Sequence, residues 1–469
     1  DGENDVMTCM MMMLSCLRFS SYSKNLHRNN LLVVFILLFI YINTVVAAEA
    51  TRTSNNDDDI LVIPQQRRDR VIYVIGDIHG DVGCAKYWIN RIDVVDDINN
   101  PKVWRQENAS LIFMGDYIDR GPYSLPTLMF VKNLTDTFPN EVTALMGNHE
   151  LEILKDRHPS RRMKYFYQSF NVIHPNEYVH HISSRSWDET DDLVIDLLLN
   201  ASLWVYSKQK EKDAPPIFFT PERLPKSVAP NPNHMCIVDF VEDETKKPLV
   251  RQRLLEYQTA YLNTFMSNGT IGRWMENTLK IMHIENGIIF THGGLQTSVA
   301  QELRTNFAAN MDDFHQVVRN NLRDNTFFPF IVQNPTGRIV ENLMYYRGNH
   351  DEGACSDLWS ALDLWGGIHT LAVGHTPRPH IRRKCDDQFL ALDSLLGRWI
   401  RSSGGMHCSS SSPPRSRGNF QCPRIQTKCR GQIVKISPDG NIEVLETEEG
   451  GGEVPTTRKV PAIITAKVK

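Results

Sequence analysis

What this chain lacks narrows it first. It has no excess of basic charge: 51 Lys and Arg stand against 55 Asp and Glu, a formal net charge of −4. That balance supplies no positive field for nucleic acid. It has no Cys-x-x-Cys pair and no Cys/His spacing of a zinc finger, which excludes a structural zinc module. Nine Cys are present, of which Cys9 and Cys16 precede the apolar run described below. The rest are Cys84, Cys236, Cys355, Cys385, Cys408, Cys422 and Cys429. This set is odd in number, so at least one member stays free or pairs between chains. Cys408, Cys422 and Cys429 bracket a loop-like stretch and read as the disulfide candidates, with buried free thiols as the equal alternative. A hydrophobic content of 41% and a charged content of 23% are those of an ordinary globular protein.

Long apolar runs are scarce too. Residues 31–42 (LLVVFILLFIYI) follow Lys24, His27 and Arg28 and precede the small residues of NTVVAAEA. Basic flank, short apolar core and small residues describe a secretory signal peptide with a long leader. Extended to Ala48, the run also just reaches bilayer length as a signal anchor. Either reading sends the chain along the secretory route, lumenal or secreted after cleavage or else anchored, with membrane contact through this segment alone. The expected organisation is a leader over 1–50, a polar linker over 51–70 and one domain over 71–447. Insertions at 151–287 and 401–428 interrupt that domain, and 448–469 reads as a flexible tail.

What is there is a device used three times. Val71–Ile75 reads as a short buried strand ended by Gly76. Asp77 and His79 follow two apart, so both side chains project to one side. Residues 111–114 (LIFM) end in Gly115-Asp116-Tyr117-Ile118-Asp119-Arg120-Gly121-Pro122, and 142–146 (VTALM) in Gly147-Asn148-His149-Glu150. One Gly-Asp turn after a strand is ordinary punctuation; three in register are not. Helical stretches within 82–100 and over 124–134 alternate with these strands, an α/β pattern. Segment 151–287 breaks it, with helices over 188–204 and 249–265 around a loop of six prolines between Pro215 and Pro232. Strands resume at 288–290 before Thr291-His292-Gly293-Gly294, at 371–373 before Gly374-His375-Thr376-Pro377, and at 389–393. Residues 432–446 read as a hairpin around Pro438-Asp439-Gly440.

Collected, the strand-end residues are Asp77, His79, Asp116, Asn148, His149, His292 and His375. All are oxygen or imidazole donors with no thiolate, a set suited to manganese, iron or zinc in a two-metal site. Two divalent ions about 3.5–4 Å apart activate a water and clamp both oxygens of an in-line displacement. Two carboxylates against the four charges of the ions leave the site net positive, which matches a phosphate dianion. The chemistry this set permits is phosphoester hydrolysis.

GDIHG, GDYIDRG, GNHE, HGG and GHT, in this order, resemble the PPP-type metallophosphatases of the calcineurin-like metallophosphoesterase superfamily. GRWM at 272–275, YYRG at 345–348 and GHTP followed by a strand ending at Asp393 resemble the Shewanella-like protein phosphatases. The resemblance covers roughly 71–396 and the terminal hairpin. It implies an α/β sandwich of two mixed β-sheets flanked by helices, with a dinuclear metal site at the strand C-terminal ends. It assigns Asp77 and His79 to the first metal, Asp116 to both, and Asn148, His292 and His375 to the second. Two divalent ions are the implied cofactor, manganese first, with iron or zinc as alternatives. A metal-bridging hydroxide would attack phosphorus directly. His149 would protonate the leaving alkoxide and Asp119 would orient it, since an imidazolium beside a carboxylate stays charged near neutral pH. Arg120, Arg347 and Asn148 would grip the phosphate, where a guanidinium fork outperforms an ammonium.

The remaining histidines read as bystanders: His350, close to Arg347, and His158, His174, His180 and His181 in the insertion. Glu150 reads as support for its turn. The expected activity is hydrolysis of phosphoserine and phosphothreonine in a phosphoprotein substrate. A diadenosine-tetraphosphate (ApaH-like) hydrolase and a phosphotyrosine-directed enzyme of the same fold are the alternatives. A catalytically dead binding module and an anchored scaffold built on the Pro-rich insertion come from other classes; the full ligand set argues against the first.

Overall fold

The computed structural model describes residues 70–161, 177–182, 188–195, 197–198, 238, 241–307, 311–323, 326–398, 428–447 and 452–453. The apolar run, the linker, His174, the Pro-rich loop, Cys236, Cys408 and Cys422 lie outside them. Among the described residues no helix is long and apolar enough to cross a membrane.

The chain opens with β1 (Val71–Ile75), α1 (Val82–Ile92), β2 (Ala109–Phe113), α2 (Ser124–Thr137), β3 (Val142–Ala144) and α3 (Asn148–Lys155). β1, β2 and β3 are parallel neighbours, which requires crossover helices of the α1 and α2 kind. After α4 (Glu177–His181), α5 (Lys247–Phe265) and α6 (Thr270–Thr278) come β4 (Met282–Glu285) and β5 (Ile288–Thr291). Five helices follow: α7 (Thr297–Phe307), α8 (Met311–Asn321), α9 (Phe327–Gln333), α10 (Pro335–Tyr345) and α11 (Cys355–Asp363). The chain closes with β6 (Thr370–Val373), β7 (Arg382–Lys384), β8 (Phe389–Ala391), β9 (Lys428–Cys429), β10 (Gln432–Ile436), β11 (Ile442–Glu446) and β12 (Gly452–Glu453).

Two mixed five-stranded sheets result, ordered β11-β10-β1-β2-β3 and β4-β5-β6-β8-β7. Strand alternation sorts their side chains into two cores. Ile72, Val74, Ile112, Phe290, Ala372, Leu390 and Val434 face inward and form the layer between the sheets. Tyr73, Ile75, Leu111, Phe113, Ile289, Leu371 and Val373 face outward and pack with the helices. The result is the expected α/β sandwich of two mixed sheets flanked by helices.

The expected strands and the 432–446 hairpin are present with ends shifted by a residue or two, and the first helix stops at Ile92, where Asp93 turns left-handed at φ 53°. β4, β7 and the helices from α7 to α11 go beyond the expected elements. Of the helix expected over 188–204, residues 189–195 and 197–198 are described as helical. Gly452 and Glu453, expected within the tail, pair antiparallel with Cys429 and Lys428. The disulfides differ from the expected set. Cys429 joins Cys84 on α1, and Cys355 joins Cys385, because Cα atoms brought to 5.4 Å by the fold satisfy disulfide geometry whatever their sequence spacing.

Candidate metal centre

Six strand ends converge. The loops after β1, β2 and β3 deliver Asp77, His79, Asp116, Asp119, Asn148 and His149, and those after β5, β6 and β8 deliver His292, His375 and Asp393. The glycines of this device work by close approach. A Cβ on Gly76 would sit 2.3 Å from the Leu392 carbonyl, and one on Gly147 would sit 2.2 Å from the Asp116 amide. His79, Asp116, Asp119, Arg120 and His375 all hold positive φ, between 49° and 71°. Non-glycine residues pay for that conformation and keep it only where the surroundings impose it, as functional sites do.

Asp116 is the hub. Its Oδ1 lies 3.3 Å from His292 Nε2, and its Oδ2 lies 3.6 Å from His79 Nε2 and 3.8 Å from His149 Nε2. Two groups able to hold a cation share it: His79, Asp116 and His149, and Asp116, His292 and His375. Asn148 joins the second, with Oδ1 at 3.0 Å from His292 Nε2 and 2.7 Å from His375 Nδ1. His79 Nδ1 lies 3.1 Å from the Ile118 carbonyl and His292 Nδ1 lies 2.8 Å from that of Met114. A carbonyl accepts only from N–H, so Nδ1 carries a proton in each ring and, in the neutral form, Nε2 is the electron-pair donor, the usual arrangement of a metal-binding imidazole.

Asp77 stands outside both groups. Its Oδ2 accepts the His375 N–H at 3.0 Å, and its Oδ1 is buried with no hydrogen-bond partner. Asp393 Oδ2 is buried and unpartnered as well. Burial, Asp393 and Asp116 hold the Asp77 carboxyl well above the usual range, and burial pushes Asp393 to about 7. Burial drives His79 to about 3, against the pull of Asp116, and drives His375 to about 2 with help from His292 and Arg347. These neutral imidazoles and stranded carboxylate oxygens fit divalent cations, which would relieve the crowding of acids. For Asp116 burial acts upward, but the surrounding His292, His149 and His79 outweigh it and hold the carboxyl low.

His149 is held otherwise. Its Nδ1 lies 2.5 Å from Asp119 Oδ2, and both side chains are buried. Burial lowers its affinity for a proton, yet Asp116 and Asp119 raise it above the ordinary histidine value. Arg120 acts electrostatically on both His79 and His149. Arg347 is exposed, and its Nη1 donates to the His375 carbonyl and to Thr376 Oγ1, each at 2.8 Å.

Two residues carry more than their sequence context suggested. Glu150 is fully buried and accepts four backbone N–H groups, from Asp116, Tyr117, Ile118 and Gly147. It thereby holds the loop that carries Asp116. Asp393 adds a buried carboxylate that a count of motif ligands omits; its signal in the sequence is an acid closing the run FLAL, in the strand that follows GHTP. Of the histidines in the insertion, His181 lies between Glu177 and Thr264, and His158 lies 2.7 Å from Ser160 Oγ. His180 packs against the Tyr123 ring.

Residues 70–220 match the family model described as Calcineurin-like phosphoesterase. Among curated proteins, the serine/threonine-protein phosphatase 6 catalytic subunit of Caenorhabditis elegans is 51% identical over 43 residues, 9% of this chain and 13% of that one. The symmetrical bis(5'-nucleosyl)-tetraphosphatase of Marinomonas sp. (strain MWYL1) is 35% identical over 92 residues, 20% of this chain and 28% of that one. The alignments thus span well under half of these relatives' lengths. A cold-active protein-tyrosine phosphatase of a psychrophile, Shewanella sp., superposes with a TM-score of 0.45 at 14% identity, covering 80% of each chain. The family match falls on the stretch that supplies Asp77, His79, Asp116, Asn148 and His149, so these five residues lie within a calcineurin-like phosphoesterase domain.

Proposed function

We propose that this phosphoesterase is a metal-dependent phosphoprotein phosphatase acting on phosphoserine and phosphothreonine. The observation that carries the reading is the buried His149–Asp119 pair beside the Asp116 hub. A dedicated proton donor is what a poor leaving group such as a serine alkoxide demands.

In this reading Asp77 and His79 hold a first divalent ion, Asn148, His292 and His375 a second, and Asp116 both. Manganese is the first choice, with iron or zinc as alternatives. When bound, two such ions supply an activated water and neutralise charge developing on the phosphoryl oxygens. The protein's own groups do the rest. His149 donates from Nε2 to the departing oxygen, while Asp119 keeps Nδ1 occupied and the ring charged. Arg120 and Arg347 take the phosphate oxygens, and the two hydrogen bonds from Arg347 Nη1 fix the direction of its fork. Glu150 keeps Asp116 in place without touching substrate. The disulfides Cys84–Cys429 and Cys355–Cys385 support a lumenal or secreted location, where such bonds persist.

A diadenosine-tetraphosphate hydrolase is the second reading, favoured by the Marinomonas relative. A panel of phosphoserine, phosphothreonine and phosphotyrosine peptides and diadenosine tetraphosphate, assayed with added manganese, decides. Turnover of the serine and threonine peptides well above the others is expected. Turnover of the dinucleotide alone would sink the phosphatase reading.

A further inference from the structure

His350 follows Arg347 by three residues and is buried, with 8% of its surface exposed. Its ring stands edge-on to Phe389 at 5.1 Å, and neither ring nitrogen has a hydrogen-bond partner. A buried imidazole with two idle nitrogens costs stability unless something else satisfies it. Its surroundings say what kind of group that is. Burial, then Arg378, Arg347, Lys384 and Arg382, drive the ring to about 4. It is therefore neutral, with one N–H to donate. A cation is excluded from a place already faced by four cationic side chains, whereas an anion meets attraction from each.

Those cations are available. Among the described residues Arg347, Arg378, Arg382 and Lys384 form no side-chain ion pair, although Arg383 beside them is paired to Asp387. Arg378 Nε is buried without a partner. Lys384 Nζ donates to the carbonyls of His350 at 3.0 Å and Asp351 at 2.6 Å. Asp351 and Glu352 are the acidic groups that act on it, and neither reaches it as an ion pair. The cluster is also held in place. Cys355 on α11 is bonded to Cys385, directly after Lys384, and the Arg378 N–H donates to the Asp393 carbonyl at 3.0 Å. Its link to the metal centre is Arg347, bonded to the His375 carbonyl.

We propose that His350, Arg378, Arg382 and Lys384 form a second anion subsite, which takes a carboxylate or a second phosphate carried by the same substrate molecule. The inference rests on the phosphoprotein reading only in placing that anion on a peptide. The favoured substrate is then a phosphorylated segment with acidic or further phosphorylated residues beside the scissile phosphate, and not a basic or neutral one.

Binding tests it independently of turnover. Peptides with a non-hydrolysable phosphonate in place of the phosphoserine are made with neutral flanks, with Asp or Glu at a series of spacings, and with a second phosphoserine at the same spacings. Fluorescence anisotropy on the full chain with manganese reads their affinity. The best-spaced acidic or phosphorylated peptide is expected to bind roughly tenfold or more tightly than the neutral one, as charge-assisted hydrogen bonds allow. The advantage should shrink at high salt, and the Arg378→Ala/Arg382→Ala double variant should abolish it. The two series tell a carboxylate from a phosphate. Equal affinity for all peptides, or equal loss on neutral and acidic peptides in the double variant, overturns the subsite. Selective binding in a protein that turns over no phosphopeptide would leave the subsite standing and overturn the proposed activity.

Discussion

Replacing Asp119 by asparagine removes one negative charge from beside the His149 ring while keeping an oxygen to accept its Nδ1 proton. The two atoms are 2.5 Å apart and out of water, so the ring keeps its direction and loses the carboxylate that stabilises its charged form. A hydrogen bond to a charged partner contributes about 1.5–3 kcal/mol, which corresponds to a fall of about 1–2 units in the proton affinity of His149. Asp116 still holds part of the upward shift. The sign follows from the role. The active form is protonated, so activity is present below the His149 value and lost as pH rises through it. The alkaline limb of the pH–rate profile therefore moves toward acid by about 1–2 units in Asp119→Asn. At pH above both limbs an alkyl phosphoserine peptide loses about 10- to 100-fold in kcat/KM, and the loss shrinks as pH falls below the wild-type limb. The assay compares kcat/KM from pH 5 to 9 on that peptide and on p-nitrophenyl phosphate, whose leaving group scarcely needs a proton. An alkaline limb that stays put, or equal losses on both substrates, would remove His149 as the general acid and Asp119 as its partner.

Two further substitutions separate the hub from its support. Asp116→Asn should abolish phosphopeptide hydrolysis and cut the metal content measured by elemental analysis, since one side chain faces both candidate groups; full activity with two ions retained contradicts the shared-ligand assignment. Glu150→Gln leaves an amide nitrogen among four backbone donors. The loss of at least one charge-assisted bond should cost about 1.5–3 kcal/mol, read as a lower denaturant midpoint together with a lower kcat. An unchanged midpoint would show that Glu150 does not hold the loop.

The parts of this site that sequence made legible share one property: the signal is local. A buried strand, a glycine and a donor within three residues can be read without knowing what lies opposite, which is why Asp77, Asp116 and His149 stand out as candidates in the sequence. Asp393 and Glu150 matter through what they face. The Glu150 carboxylate acts on amides 33 and 34 residues away, and no spacing announces that. The helices between His292 and Tyr345 were missed for a related reason. Their apolar positions serve several neighbours at once, and short helices set by tertiary packing leave weak periodicity. The disulfides failed most plainly. By spacing, Cys429 belongs with its neighbours Cys408 and Cys422, yet its partner Cys84 is 345 residues away.

That last bond changes what kind of object the domain is. Cys84 follows the first strand and Cys429 precedes the closing hairpin, so the covalent path from one through the chain to the other returns on itself. Between them lie β2, β3, the whole second sheet and, within the smaller Cys355–Cys385 loop, three of the four cations around His350. Topologically the domain is a ring. Closing so long a loop lowers the entropy of the unfolded chain by on the order of 5 kcal/mol in the chain-entropy account. It also means that a single cut between those cysteines frees no fragment. Both halves of the metal centre, one from each sheet, stay tethered at effectively high local concentration, and a nicked chain can still close the sandwich around its site.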